Sequence, residues 1–170
     1  LRAMGHAATL YIPDRIDEGY GPNVPAMQAL AAAHDLIVCV DCGTLSHEPI
    51  AAAAGADVIV LDHHLGGEVL PPALAVVNPN RQDEDGALAH LCAASVVFLM
   101  LVEANRRLRQ DGVQGPDLMA MLVLVALGSV AAPGAVELGR PLHGCGCRHG
   151  SLTRNAHELA LLTLDAIDLA

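Results

Sequence analysis

The chain has 170 residues, enough for one domain that buries about 68–70% of its unfolded surface. It is 53% hydrophobic but only 2% aromatic, which points to packed helices and buried parallel strands and away from an aromatic-rich sandwich. Lys is absent, so all nine basic residues are Arg, and the net charge of −10 argues against a free-standing basic clamp for nucleic acid. The same charge suits a site that recruits divalent cations, and it also keeps an ordinary protein soluble.

Five Cys, an odd count, with no signal peptide imply a reducing cytoplasm. The first residues, Leu1-Arg2-Ala3-Met4, do not open on a start Met, and the chain reads as an excerpt of a longer one. Leu118 to Val136 carries no charge over 19 residues, formally enough to span a membrane. Gly128, Ser129, Pro133 and Gly134 interrupt it and no basic residues flank it closely, so a buried helix ending near Gly128 is expected and no membrane span.

In chain order, Thr9 to Ile12 reads as a short strand stopped by Pro13, followed by a polar, glycine-punctuated loop from Asp14 to Gly21. Asn23 is placed to cap a helix through about His34. The apolar run Leu36 to Val40 stops at Asp41-Cys42-Gly43. Ser46 would then cap a helix through Ala54, ended by Gly55. A second run, Val58 to Leu61, stops at Asp62-His63-His64, and Ala75 to Val77 forms a third short strand before Asn78-Pro79. Continuous hydrophobic strands separated by helices of roughly ten residues signal βαβ units with both sheet faces covered. Helices are expected over about His90–Gln110 and Asp117–Leu127, with helical spacing again in Asn155–Leu169. The fold class is therefore α/β, a parallel sheet with flanking helices followed by a mostly helical C-terminal half. Residues 1–138 form one domain, and 139–170, entered through the Gly- and Cys-rich stretch from Gly139 to Gly150, form a divergent segment.

The chemistry concentrates at two strand ends. Asp41 and Asp62 each follow a buried run, and parallel strands joined by one helix place both at the same carboxyl edge, where open α/β sheets bind ligands. With His63 and His64 they bring two acids and two imidazoles into one small volume, a donor set suited to Mn²⁺, Fe²⁺ or Zn²⁺ more than to Ca²⁺. Strand-end Asp residues also cap helices and His pairs also sit in loops, a plainer reading that weighs more on Asp41 than on the Asp62 triplet. Arg15, in the loop after the first strand, could meet a phosphate, or could pair with Glu18.

The series Ile37-Val38-Cys39-Val40-Asp41-Cys42-Gly43-Thr44 and Val58-Ile59-Val60-Leu61-Asp62-His63-His64 resembles motifs II and III of the DHH phosphoesterases. Within them the chain is most similar to the RecJ-type single-strand DNA exonucleases, through Ile12-Pro13-Asp14-Arg15, Glu18-Gly19-Tyr20-Gly21, Leu70-Pro71-Pro72-Ala73 and Val76-Val77-Asn78-Pro79-Asn80. The resemblance covers roughly residues 7 to 131. It implies a DHH phosphoesterase domain in which Asp41 and His63 bind metal, His64 contacts the scissile phosphate and Asp62 orients these groups from behind. The implied cofactors are Mn²⁺ or Mg²⁺ in a two-metal site. The implied reaction is 5′-to-3′ hydrolysis of single-stranded DNA in repair and recombination, by a monomer that also meets a single-strand binding protein.

Two departures from the pattern stand out. The Asp-x-Asp segment of motif I, expected before residue 1, is not in the sequence, and Ala132-Pro133 stands where motif IV places an acid. The resemblance thus implies an incomplete metal site and a chain inactive by itself. It leaves two alternatives: a catalytically dead DHH scaffold or DNA-binding remnant, and a DHH phosphodiesterase acting on small nucleotides. Four other patterns carry less. Cys39-Val40-Asp41-Cys42 crosses a strand end, unlike a redox motif opening a helix. His143-Gly144-Cys145-Gly146-Cys147-Arg148-His149 lacks the spacing of a structural zinc site. His90 and Cys92 read as buried or half-buried helix residues, and Gly66-Gly67 as a turn.

Overall fold

The computed structural model describes residues 1–131. Three strands, β1 (Leu36–Val40), β2 (Asp57–Leu61) and β3 (Ala75–Val77), form one parallel sheet in the order β1-β2-β3. The register pairs Val40 with Leu61 and Leu61 with Val77, so all three strands end level with one another. Helices α1 (Val24–Ala33) and α2 (His47–Ala51) flank β1 in the chain, and α3 (Ala93–Gln110) and α4 (Leu122–Ala131) make up the later, helical part.

Strand alternation sorts the core into two layers. Ile37 and Cys39 of β1, Val58 and Val60 of β2 and Val76 of β3 face one way and bury against Met27, Ile50 and Ala53 of the α1–α2 side. Leu61, with Val38 and Ile59, faces the other way and packs on Leu91 and Val96 at the start of α3. Covering both faces is what a parallel sheet of apolar strands requires. Each fully buried Val or Leu contributes about 1.5–3 kcal/mol. A third cluster, Phe98, Leu118 and Val125, joins α3 to α4.

The expected helix caps and ends hold unevenly. Asn23 does cap α1: its Oδ1 accepts the Ala26 N–H at 2.9 Å, and Pro25 stands in the first turn, where its missing N–H costs nothing. Ser46 precedes α2 without a side-chain capping bond, and that helix closes at Ala51, before the expected Ala54. α3 starts at Ala93; His90 is exposed ahead of it, while Cys92 is buried at its N-cap. α4 runs through Gly128 instead of ending there. A Cβ at Gly128 would stand 2.8 Å from Cβ of Ala94, so this glycine serves the close approach of α4 to α3 and not a helix stop. None of the helices described is long and apolar enough to cross a membrane.

Thr9–Ile12 is not a strand: the segment has no regular structure and lies outside the sheet, with Leu10 and Ile12 exposed. Among the described residues no strand pairs with it, and an apolar tetrapeptide cannot satisfy its own backbone as a strand without a neighbour. The expected helix over Asn155–Leu169, the segment from Gly139 and the position of Ala132 lie outside the described residues.

Gly43 turns the chain out of β1. Its φ of 113° is open only to glycine, and a Cβ there would meet both Val60 methyls at 3.2 Å and Cβ of Cys39 at 3.3 Å. Gly43→Ala is expected to destabilise the domain by about 2 kcal/mol, the sum of backbone strain and overpacking, read as a lower urea midpoint at unchanged slope.

Candidate metal centre

The level strand ends put three polar residues side by side, each one position beyond the last paired residue: Asp41 after β1, Asp62 after β2 and Asn78 after β3. The ladder continues one step into them, with the Asp41 N–H donating to the Leu61 carbonyl and the Asp62 N–H to that of Val77, both at 3.0 Å. The sequence expectation that Asp41 and Asp62 share one carboxyl edge therefore holds.

The two carboxylates face different surroundings. Asp62 is 1% exposed and accepts five hydrogen bonds. Its Oδ2 takes the Thr44 N–H at 3.1 Å and the Thr44 hydroxyl at 2.7 Å. Its Oδ1 takes the N–H of His63 at 2.8 Å, that of His64 at 3.3 Å and the His64 ring Nδ1 at 2.7 Å. Because that oxygen already accepts two backbone donors, His64 Nδ1 carries its proton, and Nε2 is left free. Burial by itself raises the Asp62 carboxyl. The Thr44 hydroxyl, the His64 ring and the backbone N–H groups of Thr44 and His63 outweigh it and hold the group below the usual aspartate range.

Asp41, by contrast, is more than half exposed, and it is the one non-glycine residue among those described with a positive φ, 62°. Aspartate tolerates this left-handed region better than most residues, and held strain of this kind clusters at functional sites. Its Oδ1 stands 3.2 Å from Nε2 of the mostly buried His63 ring. The His63 and His64 rings lie 4.6 Å apart, tilted by 54°. One ligand atom from each of Asp41, His63 and His64 falls within 4.8 Å of the others. A carboxylate and two imidazoles so close can share one small divalent cation, and this mixed O/N set fits Mn²⁺, Fe²⁺ or Zn²⁺. Asp62 stands outside this group, bonded to His64 instead.

Three residues complete the site that the sequence did not single out by chemistry. Thr44 is 1% and Asn78 3% exposed. The Asn78 amide donates to the Thr44 hydroxyl oxygen and to the His64 carbonyl, both at 2.8 Å. Asn80 donates to the His63 carbonyl at 2.6 Å. The available signal is that all three apolar runs end on a polar residue, the third on an amide in place of an acid.

Arg15 is exposed, and its guanidinium lies 5.1 Å above the Tyr20 ring. Glu18 does not pair with it: that carboxylate accepts the Tyr11 hydroxyl and, at 2.6 Å, the Asp14 N–H. A Cβ on Gly21 would stand 3.9 Å from Cβ of Cys42, so the end of this loop lies beside the residue following Asp41. Cys39 is buried and Cys42 half-buried, both as free thiols packed in the core on the α1–α2 side of the sheet.

A folded-state carboxyl held below its unfolded value contributes stability above the unfolded range, near pH 4, and loses it as pH falls further. Asp62→Asn removes that contribution and turns one acceptor into a donor facing N–H groups. The expected outcome is a loss of about 2–3 kcal/mol at neutral pH and a flatter acid limb in a series of urea midpoints from pH 7 to pH 3.

Comparison with known proteins covers the same region. The family model described as "DHH family, N-terminal domain" matches residues 1–128. The single-stranded-DNA-specific exonuclease RecJ of Dickeya dadantii is 41% identical over 142 residues, 77% of this chain and 24% of that protein. RecJ of Escherichia coli is 38% identical over 141 residues, with the same coverage. The chain thus spans about a quarter of the length of these relatives. A crystal structure of exonuclease RecJ bound to manganese superposes with a TM-score of 0.60 at 35% identity, covering 71% of this chain and 30% of the other. RecJ from Thermus thermophilus in complex with Mn²⁺ gives 0.51 at 32% identity, covering 64% and 16%. With three-quarters of its length matched by the family model and the motif residues standing at one sheet edge, the chain belongs to the DHH family.

Proposed function

We propose that this chain is the motif II and III portion of a metal-dependent phosphodiesterase of the RecJ kind, which removes nucleotides from single-stranded DNA in the 5′-to-3′ direction during repair and recombination. The observation that carries the reading is the convergence of Asp41, His63 and His64 within 4.8 Å at the carboxyl edge of the sheet. Its support from outside the chain is the likeness to RecJ proteins, two of them solved with manganese.

In this reading Asp41 and His63 hold the divalent ion, Mn²⁺ in preference to Mg²⁺, because imidazole ligands suit the softer ion. When bound, the ion lowers the pKa of a coordinated water and stabilises charge building on phosphorus. His64 keeps Nε2 toward the substrate phosphate, since Asp62 occupies its Nδ1. Asp62 does its work from behind the site, fixing the histidine ring and the main chain that carries both imidazoles. Arg15, beside the open edge and stacked on Tyr20, offers a phosphate contact. Single-strand binding protein as a partner, a monomeric state and a cytoplasmic location follow from the family likeness alone.

Among the described residues Asp41 and His63, with His64 beside them, suffice for one ion and not a pair, and Ala132-Pro133 supplies no carboxylate where motif IV has one. The chain by itself is therefore proposed to bind one ion without turnover. Ala132 is also what favours the second reading, a DHH domain kept as a catalytically dead scaffold. Residues 1–138 are taken as the partial DHH domain and 139–170 as a separate divergent segment.

Calorimetric titration of the chain with Mn²⁺ tests the centre. Saturable binding at about one ion per chain is expected, weakened at least about tenfold in Asp41→Ala and in His63→Ala. A folded wild-type chain that takes up no Mn²⁺ overturns the reading of this site as a metal centre. Restoring an acid with Ala132→Asp in a protein that also carries motif I should raise Mn²⁺-dependent release of nucleotides from a 5′-labelled single strand. No gain from that change would favour the scaffold.

A further inference from the structure

The two histidines ride on β2, yet their main chain is fastened to β3. After the Asp62 N–H donates to the Val77 carbonyl, the ladder between these strands stops, and the carbonyls of His63 and His64 face no strand. Both are taken up by side chains. Asn78 Nδ2 donates to the His64 carbonyl at 2.8 Å, and Asn80 Nδ2 to the His63 carbonyl at 2.6 Å and, more weakly, to the Ala89 carbonyl at 3.3 Å.

Both amide nitrogens, and the Asn78 oxygen, are fixed by partners that leave no choice. Backbone carbonyls only accept, which identifies both nitrogens, and the Asn80 N–H, which only donates, lies 2.8 Å from Asn78 Oδ1. Asn78 therefore uses both amide hydrogens, one on His64 and one on the Thr44 hydroxyl, whose own proton goes to Asp62. The loop closes on itself where the Gly66 N–H donates to the Asn80 carbonyl at 3.0 Å.

We propose that Asn80 and Asn78 are positioning residues for the histidine pair: by holding the two histidine carbonyls they make β3, and not β2 alone, set where the rings stand relative to Asp41. The proposal rests on the reading of Asp41, His63 and His64 as a metal centre only for its effect on affinity, and not for its effect on the rings. A loop staple with no such role would stabilise the fold and leave the rings and the ion indifferent. Arg81 supplies the comparison. It fastens the same loop to β3 through the Val76 carbonyl at 2.8 Å and pairs with Asp83, with no bond to either histidine.

The experiment uses the whole 170-residue chain with ¹⁵N-labelled histidine, the His63 and His64 ring signals being assigned from His63→Gln and His64→Gln spectra. The wild type is expected to give one set of ring signals, with His64 protonated at Nδ1. Asn80→Ala is expected to split or broaden the His63 ring signals and to weaken Mn²⁺ binding about 10–100-fold, the usual cost of losing a partner behind a metal ligand. Arg81→Ala, at a comparable loss of Tm, is expected to change neither. Asn80→Ser serves in the same way if Asn80→Ala does not fold. The proposal is overturned if the folded Asn80 variant keeps wild-type ring signals and wild-type Mn²⁺ affinity, or if Arg81→Ala disturbs both equally. Should the wild type bind no Mn²⁺, the metal reading fails and the ring signals alone decide the positioning claim, with unchanged rings in the Asn80 variant refuting it.

Discussion

Everything at the carboxyl edge of the sheet depends on one buried negative charge. A carboxylate nearly removed from water is tolerable only when its lone pairs are filled, and Asp62 fills them from three sources: the turn after β1, its own following backbone and the His64 ring. The requirement runs in both directions. The charge needs the Thr44 hydroxyl and N–H, so the β1 turn must come to it. The His64 ring finds its Nδ1 acceptor in the same carboxylate, which favours one orientation of the ring. The cost of burying the acid is thus offset by bonds that also give the exposed members of the site their geometry.

Asp41 and Asp62 illustrate how identical side chains at equivalent register positions are given different tasks by their surroundings. One is sunk among donors and stays an acceptor for the protein itself. The other projects from a left-handed backbone, more than half exposed, with only a histidine nitrogen beside it. The place of β1 at the end of the described sheet allows this. Among the described residues Asp41 has a strand neighbour on one side alone, whereas Asp62 is flanked by both β1 and Asn78.

Much of this was legible in the sequence. Continuous apolar runs report buried parallel strands because no face of such a strand is wet, and β1, β2 and β3 fell within a residue of the runs that announced them. The strand-end acids and the histidine pair followed from the same reading. Thr9–Ile12 misled because an apolar run shows that a strand is possible and says nothing of whether a partner stands beside it. Gly128 misled because glycine ends helices and also lets them touch, and only the packing of α4 on Ala94 distinguishes the two. Thr44, Asn78 and Asn80 stayed hidden as functional residues because their role is a hydrogen bond to something 14 to 34 residues away, which no local pattern records.

Those same separations bear on how the molecule assembles. The bonds that define the site join residues 18 and 34 positions apart and exist only when all three strand ends are level. Pairing of β1 with β2 closes a chain of nearly the same span, since Ile37 meets Val58, so the closure that builds the sheet is also the one that brings Thr44 to Asp62. The strand pairing and the polar network are therefore fastened across the same crossover. The residues that carry the chemistry thereby also tie the ends of the three strands together, so the site helps to hold closed the sheet that presents it.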